Sequence, residues 1–197
     1  TIVYTLSLHD ALPIFRIGNA AKKFDAVKIF KNYYSSVEKE IKEAEEKAKQ
    51  NIENKVKEIT SLKATGTKTK SGLIYQIIKK GSGKKPTTGT QVLIHYAGYL
   101  ENGQLFDTSY EDVAKLYGKF DQNRANQNGY AGFPVTIGNL PFIPGFNEGV
   151  NLMNYGDKLM LYIPSNLGYG EQGAGDAIPP NANIIFEVEL LENKSTN

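Results

Sequence analysis

The residues of this chain that could form a reactive or binding site are mainly aromatic. There is no cysteine, and the two histidines, His9 and His95, lie far apart and in no HExxH or Cys/His cluster. A thiol nucleophile is excluded and a metal site is not expected. A group of aromatic residues lies beside predicted turns: Tyr96, Phe106, Phe133, Phe142, Phe146, Tyr169 and Phe186. Such side chains form either a hydrophobic core or an apolar pocket, and their positions alone favour the core.

One glycine motif has the spacing of a dinucleotide-binding loop but not its context. Gly168, Gly170 and Gly173 read G-x-G-x-x-G. A helix must begin at such a loop so that its N-terminus faces the pyrophosphate. The residues that follow, AGDAIPP, contain a glycine and two prolines that prevent a helix. The sequence therefore predicts no nucleotide, and we expect no other cofactor.

The composition is that of a globular protein without a strongly charged partner. Apolar residues make up 40% and charged residues 22% of the chain, and the net charge is +2. We expect no nucleic-acid binding, and no segment approaches the roughly 20 apolar residues of a membrane span. Residues 1–14 lack the basic region of a signal peptide, and the lack of cysteine does not separate cytoplasm from periplasm. We expect a cytoplasmic location, with the periplasm as the alternative.

The first third of the chain predicts a long charged helix. No proline or glycine occurs from about Asn19 to Leu62, and apolar or small residues recur every three or four positions. Asn19 is the predicted N-cap. The apolar stripe narrows at Ala44 and Ala48, which favours a solvent-exposed linker helix. A helix that docks or dimerises is the alternative.

The segment after the helix is β-rich and predicts an α+β fold. A helix is predicted from Gly145 to Tyr155, ended by Gly156, and the Asn102-Gly103 pair predicts a hairpin. The predicted strands are short runs rich in β-branched and aromatic residues: Leu73–Lys79, Gln91–Leu100, Gly132–Ile137, Lys158–Ile163 and Ile184–Leu191.

These changes of composition divide the chain into segments. We expect an N-terminal segment at 1–18, the helix at 19–63, a linker at 64–70, the β-rich domain at 71–193 and a tail at 194–197. The chain begins with Thr1 rather than Met, as a fragment or processed product would. The run SLHDALPI resembles a translated sequencing-adapter tail, so residues 1–14 are left out of the predicted fold.

Four strings in the β-rich segment resemble successive signatures of the FKBP-type peptidyl-prolyl isomerases. They are SGLIYQIIKKGSG, VLIHYAGYLENGQLFDTSY, FPVTIGNLPFIPGFNEGV and GDKLMLYIPSNLGYGEQGAGDAIPPNANIIFEVELL. The resemblance implies a twisted antiparallel sheet wrapped around one short helix. It also implies an isomerase or rotamase that assists protein folding by binding X–Pro bonds in an aromatic pocket. The alternative is a catalytically weak chaperone module that only holds proline-containing segments.

The resemblance assigns the site residue by residue. It implies catalytic roles for Tyr169, Asp107, Phe106 and the backbone N–H of Ile143. It implies that the pocket wall and floor consist of Tyr96, Phe133, Phe142, Phe146, Ile178 and Phe186. At Phe146 many members carry tryptophan, so we expect altered ligand affinity and sequence preference more than altered activity. We predict that Asp107 orients Tyr96 by a hydrogen bond, polarisation of the site being the alternative, and that His95 is structural.

The resemblance also defines the partners and the unusual regions. The implied partners are proline-containing clients and macrolide-type inhibitors. A second copy of the chain, bound through the predicted helix at 19–63 as a homodimer, is a further expected partner. The chain exceeds the minimal family domain at about 110–131, which predicts either a surface loop or a flap with Tyr117, Phe120 and Tyr130 as contacts. The segment FRIGNAAKKFDAV resembles the end of a cyclophilin-type domain in bacterial proteins that fuse both isomerase types, so a truncated fusion is expected.

Overall fold

The β-branched and aromatic runs form one antiparallel sheet. A computed structural model describes residues 26–81 and 83–193. The strands lie in the order β1-β2-β6-β7-β3-β4, and β5 pairs with β3. They are β1 (Thr67–Lys68), β2 (Ile74–Lys79), β3 (Gln91–Leu100), β4 (Leu105–Thr108), β5 (Phe133–Thr136), β6 (Lys158–Ile163) and β7 (Ile184–Glu192). The predicted α+β class with a long preceding helix is confirmed.

The strand predictions agree with the structure to within one residue at each end. β3 and β6 have the predicted bounds, whereas β2, β5 and β7 differ by one residue at one or both ends. β1 and β4 were not predicted, because two to four residues give too short an alternation to recognise. The Asn-Gly hairpin is confirmed, since Leu100 donates its N–H to Gln104 across the turn at 2.9 Å.

Gly103 is required in this hairpin for two reasons. Its φ is +81°, which side chains other than glycine rarely adopt. A Cβ atom at Gly103 would also lie 2.5 Å from the carbonyl oxygen of Ile52. The hairpin therefore approaches the helix that contains Ile52 more closely than any side chain would allow.

One face of the sheet packs on a short helix, α4 (Pro144–Leu152). Alternate residues of β3 and β7 point to this face, so Ile94, Phe186 and Leu190 share a core with Phe146 and Val150 of α4. The helix ends three residues before the predicted end. The Asp157 carboxylate accepts a hydrogen bond from the Asn154 N–H at 2.7 Å, which holds the chain in a turn there.

The long helix α1 spans Ala26–Thr65, so its predicted N-cap at Asn19 lies outside the described residues. The chain divides into two units, residues 1–40 and 41–197. In the first unit, Phe30 and Tyr34 place their ring centroids 4.6 Å apart. No helix in the described ranges is long and apolar enough to cross a membrane.

The C-terminal part of α1 covers the second face of the sheet. Ile59 and Leu62 are buried there against Met160, Tyr162 and Ile185. This packing differs from the solvent-exposed linker predicted for the helix. The sequence pattern concealed it because Lys55, a charged residue, occupies the buried face and is only 6% exposed.

Lys55 is buried because acidic groups surround its ammonium group. It forms ion pairs with Glu187 of β7 and with Glu58, and it lies 4.6 Å from the ring centroid of Tyr99. Lys158 binds the second carboxylate oxygen of Glu187 at 2.6 Å. Burial opposes the charge of Lys55, but Glu187 and Glu58 raise its pKa above the ordinary value.

We expect acid to weaken this interface through Glu187. Burial opposes the carboxylate's charge, but Lys55 and Lys158 hold its pKa below the ordinary value of 4.5. A lowered folded-state pKa adds stability above the ordinary pKa, and that stability is lost as pH falls through the folded-state pKa. The free energy of unfolding should therefore fall below about pH 4.5, and Glu187→Gln should flatten that fall. Urea unfolding measured from about pH 7 to about pH 3 tests this.

The matched control is Glu53→Gln, at an exposed position of α1. It should keep the wild-type dependence on pH. If the free energy of unfolding depended on pH equally in Glu187→Gln and wild type, the role given to Glu187 would be contradicted.

Candidate active site

A cavity of about 540 Å³ opens between the sheet and the start of α4. Strands β3, β4, β5 and β7 each contribute an aromatic side chain, and the loop before α4 forms the opposite side. The lining residues are Tyr96, Phe106, Asp107, Phe133, Pro141, Phe142, Ile143, Phe146, Tyr169 and Phe186. The cavity is therefore apolar, with few polar groups.

The aromatic rings pack against one another, mostly edge to face. Phe186 lies at the centre, with ring centroids 5.0 Å from Phe146, 5.5 Å from Phe106 and 5.9 Å from Tyr96. Phe142 contacts Phe146 at 5.1 Å. Each such pair adds roughly 0.5–1.5 kcal/mol beyond burial. These contacts therefore stabilise the observed arrangement of the rings.

Gly98 of β3 makes room for this arrangement. A Cβ atom at Gly98 would lie 2.4 Å from the Phe106 ring and 2.9 Å from the Phe186 ring. Only glycine lets both rings lie against the strand, which explains the HYAG string in physical terms.

Asp107 is the acidic group of the cavity, and its side chain is bound on three sides. The Tyr96 hydroxyl and the Thr108 N–H donate to it. Tyr96 binds Oδ2, whereas Thr108 and Arg124, the latter at 2.6 Å, both donate to Oδ1. Burial, followed by the hydrogen bond to Asp107, raises the pKa of Tyr96. The predicted hydrogen bond between Tyr96 and Asp107 is present, so both groups hold each other in place.

Arg124 belongs to the segment between β4 and β5 that the sequence marked as an insertion. This segment contains α2 (Glu111–Leu116) and α3 (Gln122–Asn126). Besides Asp107, Arg124 binds the carbonyls of Thr108 and Gly129, both at 2.9 Å. One guanidinium group therefore attaches the insertion to the cavity.

Two hydrogen-bond donors in the cavity are available to a ligand. The Tyr169 side chain is 37% exposed. Within residues 26–81 and 83–193, neither its hydroxyl nor the N–H of Ile143 has a hydrogen-bond partner. Both residues line a mainly apolar cavity, so their unpaired donors can bind carbonyl groups that enter it.

Asn147 fixes the loop that carries Ile143. Its side-chain amide donates to the carbonyls of Leu140 at 3.0 Å and Phe142 at 2.9 Å. Its amide oxygen is buried and has no hydrogen-bond partner in the described part of the chain. The loop conformation thus depends on one amide group in the first turn of α4.

The sequence-predicted site residues come together at this cavity with one exception. Ile178 is only 3% exposed and lies in the core cluster, but it does not line the cavity. His95 also lies outside the cavity: it hydrogen-bonds Ser109 at 3.1 Å and stacks on Tyr110. No group of acidic or histidine side chains in the described ranges could hold a metal ion.

Sequence reasoning missed Pro141, Arg124 and Asn147. Pro141 adjoins Phe142 in the same string and could have been included on that ground. Arg124 lies 17 positions from Asp107 in an unusual segment, and no spacing rule connects the two residues. Asn147 could have been noticed as a polar residue directly after the buried Gly145 and Phe146 in the first turn of the helix.

The fold agrees with comparisons to known proteins. The family model for the FKBP-type peptidyl-prolyl cis-trans isomerases matches residues 82–191. The chain belongs to this family.

Individual relatives give the same result. The probable FKBP-type isomerase FkpA of Neisseria meningitidis serogroup B is 44% identical over 124 residues, which are 63% of this chain and 39% of that protein. The FK506-binding protein of the same organism is 40% identical over 121 residues, 61% of this chain and 95% of that protein. An FKBP-type 22 kDa isomerase of Escherichia coli is 41% identical, over 63% of this chain and 51% of its own length. The chain thus spans only about two fifths to one half of the longer relatives.

Among solved structures, the crystal structure of AtFKBP13 is similar to this fold. It has 28% sequence identity and a TM-score of 0.50, covering 63% of this chain and 94% of its own.

Proposed function

We propose that this chain catalyses cis–trans rotation of X–Pro bonds in polypeptide clients, with the aromatic cavity as its active site. The observation that carries the proposal is the pair of unpaired donors, the Tyr169 hydroxyl and the Ile143 N–H, among the residues that line a mainly apolar cavity. Membership of the isomerase family supports the same reaction.

The reaction needs no nucleophile, because no covalent bond is made or broken. Rotation about a peptide C–N bond costs about 18–20 kcal/mol, since the bond must lose its resonance. The planar amide has separated partial charges that water stabilises, and the twisted amide has lost them. A cavity that excludes water therefore favours the twisted amide relative to the planar one, which lowers the barrier.

The two free donors position the client. A hydrogen bond to the oxygen of the rotating amide would strengthen its resonance and slow rotation. Tyr169 and the Ile143 N–H therefore act best on carbonyls that flank the rotating bond. Phe106, Phe146 and Phe186 then enclose the proline ring.

NMR exchange on a peptide with one X–Pro bond tests the proposal. The full chain should accelerate cis–trans exchange, and Tyr169→Phe should lower kcat/KM about fivefold to tenfold because one hydrogen bond is lost. Tyr33→Phe, on an exposed part of α1, is the matched control and should retain wild-type activity. Binding of the peptide without any acceleration would contradict the enzyme and favour a module that only holds proline-containing segments.

Partners and location are further proposals. We propose that macrolide-type inhibitors occupy the same cavity and that the chain acts in the cytoplasm. We also propose a homodimer through α1. The exposed apolar side chains of Tyr33 (61% exposed) and Ile41 (53% exposed) support the homodimer.

A further inference from the structure

A second cavity of about 400 Å³ lies beside the candidate active site. The β3–β4 hairpin forms its floor through Leu100, Gln104 and Leu105. Its sides come from three other segments: α1 contributes Ile52, the insertion contributes Tyr117 and Lys119, and the loop after Tyr169 contributes Asp176, Ala177 and Pro179.

Phe106 connects the two cavities. This residue lines both the aromatic cavity and the second cavity. An extended polypeptide advances roughly 3.3 Å per residue. A client whose proline occupies the first cavity would therefore reach the second within a few residues.

The second cavity is held open by bonds between α1 and the insertion. The Asn51 side chain donates to the Leu116 carbonyl at 3.0 Å, and the Tyr117 hydroxyl donates to the Asn51 carbonyl at 3.3 Å. The Tyr117 ring also lies 5.5 Å from that of Tyr99. Because these contacts exist without a ligand, binding there costs little ordering of the protein.

The rim of the second cavity has two charged groups of opposite sign. Lys119 and Asp176 are both exposed, and within the described ranges neither side chain forms a hydrogen bond or an ion pair. An ammonium group can donate to a client carbonyl, and a carboxylate can accept from a client N–H. Because a polypeptide backbone offers both carbonyl acceptors and N–H donors, these two groups match it better than they match a purely anionic or purely cationic ligand.

We infer that the second cavity is a subsite for an apolar side chain of the client, located within a few residues of the proline. The inference rests on the proposed function, because it names the part of the client that the same site recognises. Ile52, Leu105 and Tyr117 contact the apolar side chain, and Lys119 and Asp176 bind the client backbone beside it.

A peptide series tests the subsite. Each peptide has one X–Pro bond, alanine elsewhere, and a single leucine placed one to four positions before or after the proline. For the full chain, one position of leucine should raise kcat/KM about tenfold over the all-alanine peptide. Intermolecular NOEs should then connect the leucine methyl groups to Ile52, which does not line the aromatic cavity.

Ala177→Trp fills the second cavity and should remove most of this leucine gain, measured as the ratio of kcat/KM for the two peptides. Glu171→Trp is the matched control, because it adds the same side chain at an exposed position that lines neither cavity. It should keep the gain. If the all-alanine peptide is not accelerated at all, the proposed function fails. If it is accelerated but leucine brings no gain at any position, or the gain persists in Ala177→Trp, the subsite is overturned.

Discussion

Asn147→Asp is expected to lower kcat/KM for X–Pro rotation by about tenfold to a hundredfold. The wild-type amide donates to the Leu140 and Phe142 carbonyls, whereas an ionised carboxylate only accepts hydrogen bonds. The new carboxylate would then lie against two carbonyl oxygens without a hydrogen atom between them. Because these oxygens repel one another, the loop that carries the Ile143 N–H would move away. A displacement of about 1 Å at a catalytic group costs on the order of a hundredfold.

NMR exchange rates and urea unfolding, measured on the same samples, test this expectation. Asn151→Asp makes the same chemical change at an exposed position of α4 and should retain activity. Lowering the pH should partly restore the Asn147→Asp variant relative to wild type, because a protonated carboxyl can donate one hydrogen bond. Wild-type activity in Asn147→Asp at neutral pH would show that the loop does not depend on this amide.

Phe186→Ala is expected to have the largest effect on stability together with a loss of activity. Phe186 is only 6% exposed and contacts Tyr96, Phe106 and Phe146. Removing a buried phenylalanine ring costs about 3–5 kcal/mol in the free energy of unfolding. The three neighbouring rings would also lose their common support, so kcat/KM should fall at least about tenfold even for the folded fraction.

Leu190→Ala separates these two effects. Leu190 lies on the same strand and the same face, is fully buried, and does not line the cavity. It should lose about 2–5 kcal/mol of stability while the folded protein keeps its activity. If Phe186→Ala retained activity in the folded state, the ring would belong to the core alone.

Most of the fold could be predicted because each long strand carries its own pattern. β3 and β6 are runs of apolar and aromatic residues that are largely buried on both faces, and the helical period of α1 extends over many turns. The covering of the sheet by α1 could not be predicted from period alone. That packing depends on the buried charge of Lys55 being paired with Glu187, a residue 132 positions away in the sequence.

Part of the candidate site could be predicted from the sequence, and part of it could not. The aromatic residues and Asp107 could be named because they lie in ordered family motifs. Arg124 could not, because its partnership with Asp107 depends on how the insertion folds. The role of Asn147 could not be predicted either, because its side chain binds backbone carbonyls. Every residue has a backbone carbonyl, so residue types do not identify these partners.

The position of β7 has a consequence for synthesis on the ribosome. β7 is the last strand of the sheet in chain order within the described residues, yet it lies between β6 and β3 in the middle of the sheet. Before residues 184–192 have emerged, the nascent chain has two separate groups of strands with unpaired edges. Phe186 is also absent until then, so a partly synthesised chain has no complete aromatic cavity. Such a chain can acquire the proposed activity only after β7 has been synthesised, and until then its exposed strand edges require protection.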